Sequence, residues 1–354
     1  MDFVSLMELL GEANTKGLAG LAVGVVFGVA AQRSRFCLRA AAVEFARGKI
    51  GPSTAVWLLT FATALFWTQG AIYFDLVSLD EARILAVPGS ISGAIIGGLM
   101  LGVGMVMARG CSGRLLVLAA TGNLRAVISG LVFAVVAQMS LYGWLSPVRD
   151  GLAKLWVTPD GRNVNLLDAL NLPANFGMAL GVLFAIFAIY IAYKNRVGAK
   201  ILTFASGVGF AVALGWFATY SISSASFEPT SIESITFTGP SANTLIYFLD
   251  RSPVLSFSVG LVPGVFVGAF VAAFFSRELK LQGFEGAESM RRYLTGAALM
   301  GFGGMLAGGC AIGNGVTGTS VFSLTAWIAL FFFWVGAKFA DAMLDNRTFR
   351  LATA

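Results

Sequence analysis

Three cysteines, Cys37, Cys111 and Cys310, stand out in this 354-residue chain as candidates for soft, sulfur-centred chemistry, and histidine is absent. Without imidazole there is no His base and no His metal site. An odd number of cysteines, widely spaced and lacking a C-x-x-C pair, argues against a disulfide framework and a thioredoxin-like redox pair. Each lies where an apolar stretch is interrupted: Cys37 in QRSRFCLRAA, Cys111 in ARGCSGR and Cys310 in LAGGCAIGNG. One cysteine in an apolar helix is ordinarily a small packing residue. Three at breaks, two of them beside glycine, point to thiols that are used. A broken helix leaves backbone N–H groups unpaired, and those groups favour anions. Candidate anion-binding residues are therefore Arg109, Gly110, Ser112 and Gly113 around Cys111, and Gly309, Ala311, Gly313 and Asn314 around Cys310. The hydroxyls of Ser112, Thr317 and Thr319 suit a small oxyanion. Both breaks lack Asp and Glu, so no cage for a cation is formed, and no metal ligand, cofactor site or catalytic group is assigned.

The elements that position these thiols follow from composition. The chain is 57% hydrophobic and 12% charged, with a mean hydropathy of +0.81. Apolar stretches of about 20 residues, the length that spans a bilayer as helix, recur throughout. The fold class is an all-α polytopic membrane protein with about nine transmembrane helices and short re-entrant helices. The spans are expected near 17–32, 53–74, 89–108, 124–146, 173–193, 201–220, 253–275, 293–308 and 324–343. Residues 1–16 read as a lead-in without the basic start of a signal peptide, and 344–354 as a cytoplasmic tail. Glycines four apart, Gly20, Gly24 and Gly28, Gly93 and Gly97, and Gly260, Gly264 and Gly268, allow close helix packing in lipid. Gln32, Gln69 and Gln138 are expected to bond between helices, and Lys338 and Asp341 to snorkel.

The net charge of +6 is scattered over short loops, which reads as a topology signal rather than a nucleic-acid surface. Basic residues follow the first, fifth and seventh spans (Arg33, Arg35, Arg39, Arg47, Lys49; Lys194, Arg196, Lys200; Arg277, Lys280, Arg291, Arg292). Loops after the second, fourth and sixth are mixed or acidic (Asp75, Asp80, Glu81; Asp150, Asp160, Asp168; Glu228, Glu233). This pattern puts the N-terminus outside and the C-terminus in the cytoplasm, in the cytoplasmic (inner) membrane. Arg109 and Arg114 either attract an anion or mark the cytoplasmic end of the third span. For Arg33, Arg35 and Arg39 the topology role is the commoner one.

An internal repeat joins the two kinds of signal. GVGMVMARGC, ending at Cys111, matches GFGGMLAGGC, ending at Cys310, and Leu124 and Ala126 match Leu324 and Ala326. Repeat one covers 17–146, a connector with one span 147–200, and repeat two 201–343. The connector's single span inverts the second copy, and inverted repeats characterise transporters with a path at the repeat interface. Four stretches are too short to cross: AAAVEFARG, LLVLAATG, NTLIYFLDR and AIGNGVTGTS. They read as re-entrant and line a cavity. The fourth quasi-equivalent break, near TGPSA at 238–242, has no cysteine.

RSRFC, ARGCSGR and AGGC-x-x-GNG, in this order within a glycine-rich inverted repeat, resemble the YeeE/YedE family of sulfur transporters over about 17–340. The resemblance implies an hourglass-shaped bundle that moves thiosulfate, with selenium metabolism served by other members. It places the functional cysteines at Cys37, Cys111 and Cys310, passing thiosulfate between neutral thiols by S–H···S hydrogen bonds. It also implies a cytoplasmic TusA-like sulfurtransferase as a possible partner. Together with the topology this gives an inward relay from Cys310 to Cys111 to Cys37 across the lipid bilayer. Two alternatives remain: transport of another sulfur or selenium species, and a membrane thiol oxidoreductase or sulfurtransferase.

Overall fold

Among the described residues, twelve α-helices of nine residues or more build the molecule in the computed structural model, which describes residues 3–226, 230–251, 253–284 and 286–345. The first half contributes α1 (Glu12–Ser34), α2 (Leu38–Ala46), α3 (Pro52–Tyr73), α4 (Ile91–Met107), α5 (Ser112–Ala120) and α6 (Leu124–Tyr142). The connector carries α7 (Ala174–Lys194). The second half contributes α8 (Ala199–Ala225), α9 (Thr238–Leu249), α10 (Phe257–Phe275), α11 (Ala287–Leu306), a π-helical turn (Gly313–Gly318) and α12 (Leu324–Ala340). Among the described residues no strand forms, and only isolated bridges link loops. Helix starts are set locally. Ser90 and Asn123 accept the N–H groups of Gly93 and Ala126 at 2.8 and 3.0 Å, satisfying donors that a first turn leaves orphaned.

Among the described residues eight segments are long and apolar enough to cross a membrane. The expected span at 293–308 is the ninth long helix, α11. It falls outside those eight because its first turns carry Glu288, Arg291 and Arg292, although its 20 residues reach about 30 Å. The first crossing starts earlier than expected, at Glu12 inside the lead-in. Glu228 and residues 346–354 of the expected tail lie outside the described residues.

The loops sort onto two faces. On the first, Arg83 N–H donates to Ile232 O at 3.0 Å, Ile91 N–H to Trp156 O at 2.8 Å and Leu324 N–H to Val164 O at 2.9 Å. On the second, Leu124 N–H donates to Gln282 O at 3.0 Å and Lys280 N–H to Thr121 O at 3.2 Å, while Asn195 Nδ2 donates to Ile50 O at 3.0 Å. Loops that alternate along the chain are thus tied to one another, as they must be if the long helices run to and fro. Asp341 departs from the snorkelling expected of it. Its side chain is 2% exposed and pairs with Arg47 through two hydrogen bonds of 2.9 and 2.7 Å. Lys338 is exposed, as expected.

The glycine lines do what their spacing suggested. α1 and α10 lie so close that a Cβ at Gly20, Gly24 or Gly28 would overlap the carbonyl oxygens of Phe257, Leu261 and Val265. Gly260, Gly264 and Gly268 meet Gly17, Leu21 and Val25 in return. Lipid offers no hydrophobic drive for helix association, so this backbone approach supplies the dispersion contact that holds the pair. Between α4 and α11 the contact is reciprocal. Gly97 meets Gly303 and Gly104 meets Gly296, and Gly97 and Gly104 are the repeat equivalents of Gly296 and Gly303. Rising numbers on one helix meet falling numbers on the other, so two equivalent helices cross antiparallel. Other pairings follow the same exchange. α1 packs on α10 as α8 packs on α3, and α4 on α12 as α11 on α6; α5 meets α10 as the π-helical turn meets α3.

Candidate functional site

The cysteines fall where the short elements begin. Cys37 precedes α2 and Cys111 precedes α5, both with extended backbone. Cys310 stands between α11 and the π-helical turn, whose six residues are all buried. Cys111 and Cys310 are wholly buried and Cys37 partly so, and none is in a disulfide.

Around Cys310 the geometry is that of a sulfur held by donors. The Sγ atom accepts hydrogen bonds from Phe237 N–H at 3.3 Å and Gly313 N–H at 3.4 Å. Thr236 Oγ1 lies 3.8 Å away. The sulfur thus sits among two backbone donors and a hydroxyl that can either donate to it or accept from its S–H. The turn is tight for stated reasons. Gly308 has a φ of 77°, in the region that glycine occupies without steric cost, and a Cβ on Gly313 would strike Thr236 Oγ1. Asn314 Nδ2 donates to Ala307 O at 2.8 Å and Gly309 O at 3.2 Å. Asn314 therefore spends its donors closing the turn. Ala311 is buried beside it.

The second cluster joins Cys37 and Cys111. Their thiols are side-chain partners, the Cys111 backbone also faces the Cys37 sulfur, and Arg114 lies near enough for its charge to act on Cys37. Ser112 Oγ and Arg114 Nη1 are buried without a hydrogen-bond partner. Gly110 is buried next to Cys111. Gly113 connects the two clusters: a Cβ there would fall 2.6 Å from Ile312 Cδ1 and 3.1 Å from Phe237 Cε2. Arg109 stands apart from both. It has a φ of 53°, and its guanidinium lies 5.8 Å from the Tyr293 ring, which Arg125 approaches to 4.7 Å.

A cavity of about 170 Å³ opens on the first face. Its wall includes Thr236 and Gly313, the neighbours of the Cys310 sulfur, together with Arg83, Asn163, Glu233 and Thr317. Of these, sequence reasoning had assigned site roles only to Gly313 and Thr317. It also missed Phe237, although the repeat pointed to it. The offset of 200 that relates Leu124 to Leu324 carries Cys37 to Phe237, and both residues precede the equivalent helices α2 and α9. The fourth break is thus one residue before TGPSA, with an aromatic ring where its partner has a thiol.

Residues 33–339 match the family model described as sulphur transport. The chain belongs to the sulphur transport family. Among its relatives, the thiosulfate transporter TsuA of Escherichia coli (strain K12) is 26% identical, over 95% of this chain and 98% of that protein. The thiosulfate transporter TsuA of Spirochaeta thermophila is 28% identical, over 90% and 96% respectively. A shorter match, 32% identical over 27% of this chain, is to the probable transporter YedE of Escherichia coli. These relatives and the apolar helices support a multi-pass membrane protein that transports a sulfur oxyanion.

Proposed function

We propose that this protein is an inner-membrane permease that imports thiosulfate along its three cysteine thiols. The observation that carries the reading is the buried Cys310 sulfur, set among backbone donors and the Thr236 hydroxyl directly behind the wall of a polar cavity. Thiosulfate offers a terminal sulfur as a soft acceptor and three oxygens for N–H and O–H donors. Helix starts at α5 and α9 add positive backbone ends that favour a dianion.

The second face carries Arg33, Arg35, Arg47, Lys49, Lys194, Arg196, Lys200, Arg277 and Lys280, which supports its placement in the cytoplasm. The first face, with the cavity, is then outside, and the N-terminus with it. The order of handover is Cys310, Cys111, Cys37. The two halves act as inverted repeats divided near 146 and 200, with the path at their interface. Around the path, Gly309, Ala311, Gly313 and Asn314 shape the outer thiol's seat, and Gly110, Ser112 and Gly113 the inner one's. Arg109 acts at the exit, and a TusA-like sulfurtransferase takes up the product in the cytoplasm. The test is uptake of 35S-labelled thiosulfate by the purified protein in liposomes. Label accumulates and is recovered as thiosulfate if the protein is a permease. Recovery as a persulfide or another sulfur product would assign it to thiol enzymes instead.

A further inference from the structure

The entrance to the outer cavity holds one cation and one carboxylate, and they are held very differently. The bridge between Ala82 and Ile232 sets Arg83 and Glu233 side by side. Glu233 has a fixed seat: its Oε1 accepts from Ser258 Oγ at 2.8 Å, and its backbone oxygen accepts from Thr219 Oγ1 at 2.6 Å. Its side chain is 16% exposed. Arg83 is 53% exposed, and its Nε lies 3.8 Å from Glu233 Oε2, beyond hydrogen-bond range. Arg47 and Asp341, by contrast, meet through two short hydrogen bonds. A loose, partly exposed ion pair contributes little, whereas a guanidinium gains charge-assisted, two-pronged bonds from a tetrahedral oxyanion.

We propose, on the basis of the thiosulfate reading above, that Arg83 captures the dianion at the mouth of the Cys310 cavity. Glu233 is the built-in competitor that an incoming anion must displace from Arg83. Chloride, with a single charge and one acceptor atom, gains less from the guanidinium than a tetrahedral dianion does and displaces the carboxylate less readily. A dianion with several acceptor oxygens takes the guanidinium and then meets the donors deeper in the cavity. Glu233, tethered through Ser258, stays against the wall and repels a second anion. Arg83 is thus a specificity-determining residue, and Glu233 sets the threshold that it applies.

The experiment measures KM and Vmax for labelled thiosulfate uptake into liposomes by wild type, Arg83→Ala, Arg83→Lys, Glu233→Gln and Arg162→Ala. Arg162 pairs with Glu81 on the same face and lies outside the cavity, so it reports general surface charge. Arg83→Ala is expected to raise KM about tenfold, the factor that 1.4 kcal/mol represents, with Vmax within about twofold; Arg83→Lys falls between. Glu233→Gln is expected to lower KM and to make uptake sensitive to chloride concentrations that wild type tolerates. Arg162→Ala keeps wild-type values. An unchanged KM in Arg83→Ala, or a shift no larger than that of Arg162→Ala, would overturn the proposal. Should Arg83→Ala not fold, as read by gel filtration, Glu233→Gln decides, and its wild-type KM and chloride tolerance would be equally fatal. Failure of wild type itself to transport thiosulfate is a separate result: it overturns the transport reading, and this inference falls with it.

Discussion

The two halves of the molecule share a scaffold and differ in chemistry at the point where they meet. In the first half the breaks before α2 and α5 hold Cys37 and Cys111, whose thiols face each other with Arg114 close by. In the second half the break before α9 holds Phe237, and its backbone N–H is bonded to the lone thiol, Cys310. The Phe237 ring packs 5.3 Å from that of Phe27 and against Gly113, so it stands between the two clusters. α5 is a regular helix, whereas its counterpart is a six-residue π-helical turn. Such turns gather at functional sites. A symmetric scaffold has no preferred direction. Here asymmetry enters through a few substitutions at equivalent positions, which give one face a single sheltered thiol and the other a pair.

Breaking the shared scaffold gives the largest expected effect. Gly97→Leu places a side chain against the Gly303 backbone at the antiparallel crossing, where overpacking meets main chain that cannot step aside. The protein is expected to lose its monodisperse gel-filtration peak, and a wild-type peak with wild-type Tm would show that the crossing is not the hinge of the fold. Sharpening the asymmetry gives a smaller effect. Phe237→Ala removes a fully buried ring and is expected to cost about 3–5 kcal/mol, read as a lower Tm. It also opens the wall between the clusters, so liposomes bearing it are expected to leak chloride several-fold faster than wild type. A lower Tm without leak would make Phe237 a packing residue alone.

Much of this was legible in the residues themselves. The long helices, the glycine lines and the match between Cys111 and Cys310 rest on local periodicity, which sequence carries directly. α11 shows in the sequence through its apolar C-terminal part, and its charged start is the reason it looks unlike the others. What sequence did not show depends on chain segments far apart. Asp341 reads as a snorkelling end residue until α12 is placed beside Arg47. Glu233 reads as a loop charge until the bridge between Ala82 and Ile232 brings it to one cavity with Arg83. Phe237 was within reach, but a phenylalanine in an apolar chain gives no signal unless the repeat offset is followed to the residue.

The measurement that bears most directly on the thiol path is the initial rate of labelled thiosulfate uptake by Cys310→Ala and Cys111→Ala in liposomes, at matched amounts of folded protein. Both are expected to fall to the rate of protein-free liposomes, because each removes one of the three thiols that the path uses in turn. Wild-type rates in these variants would contradict a path that runs through the cysteines.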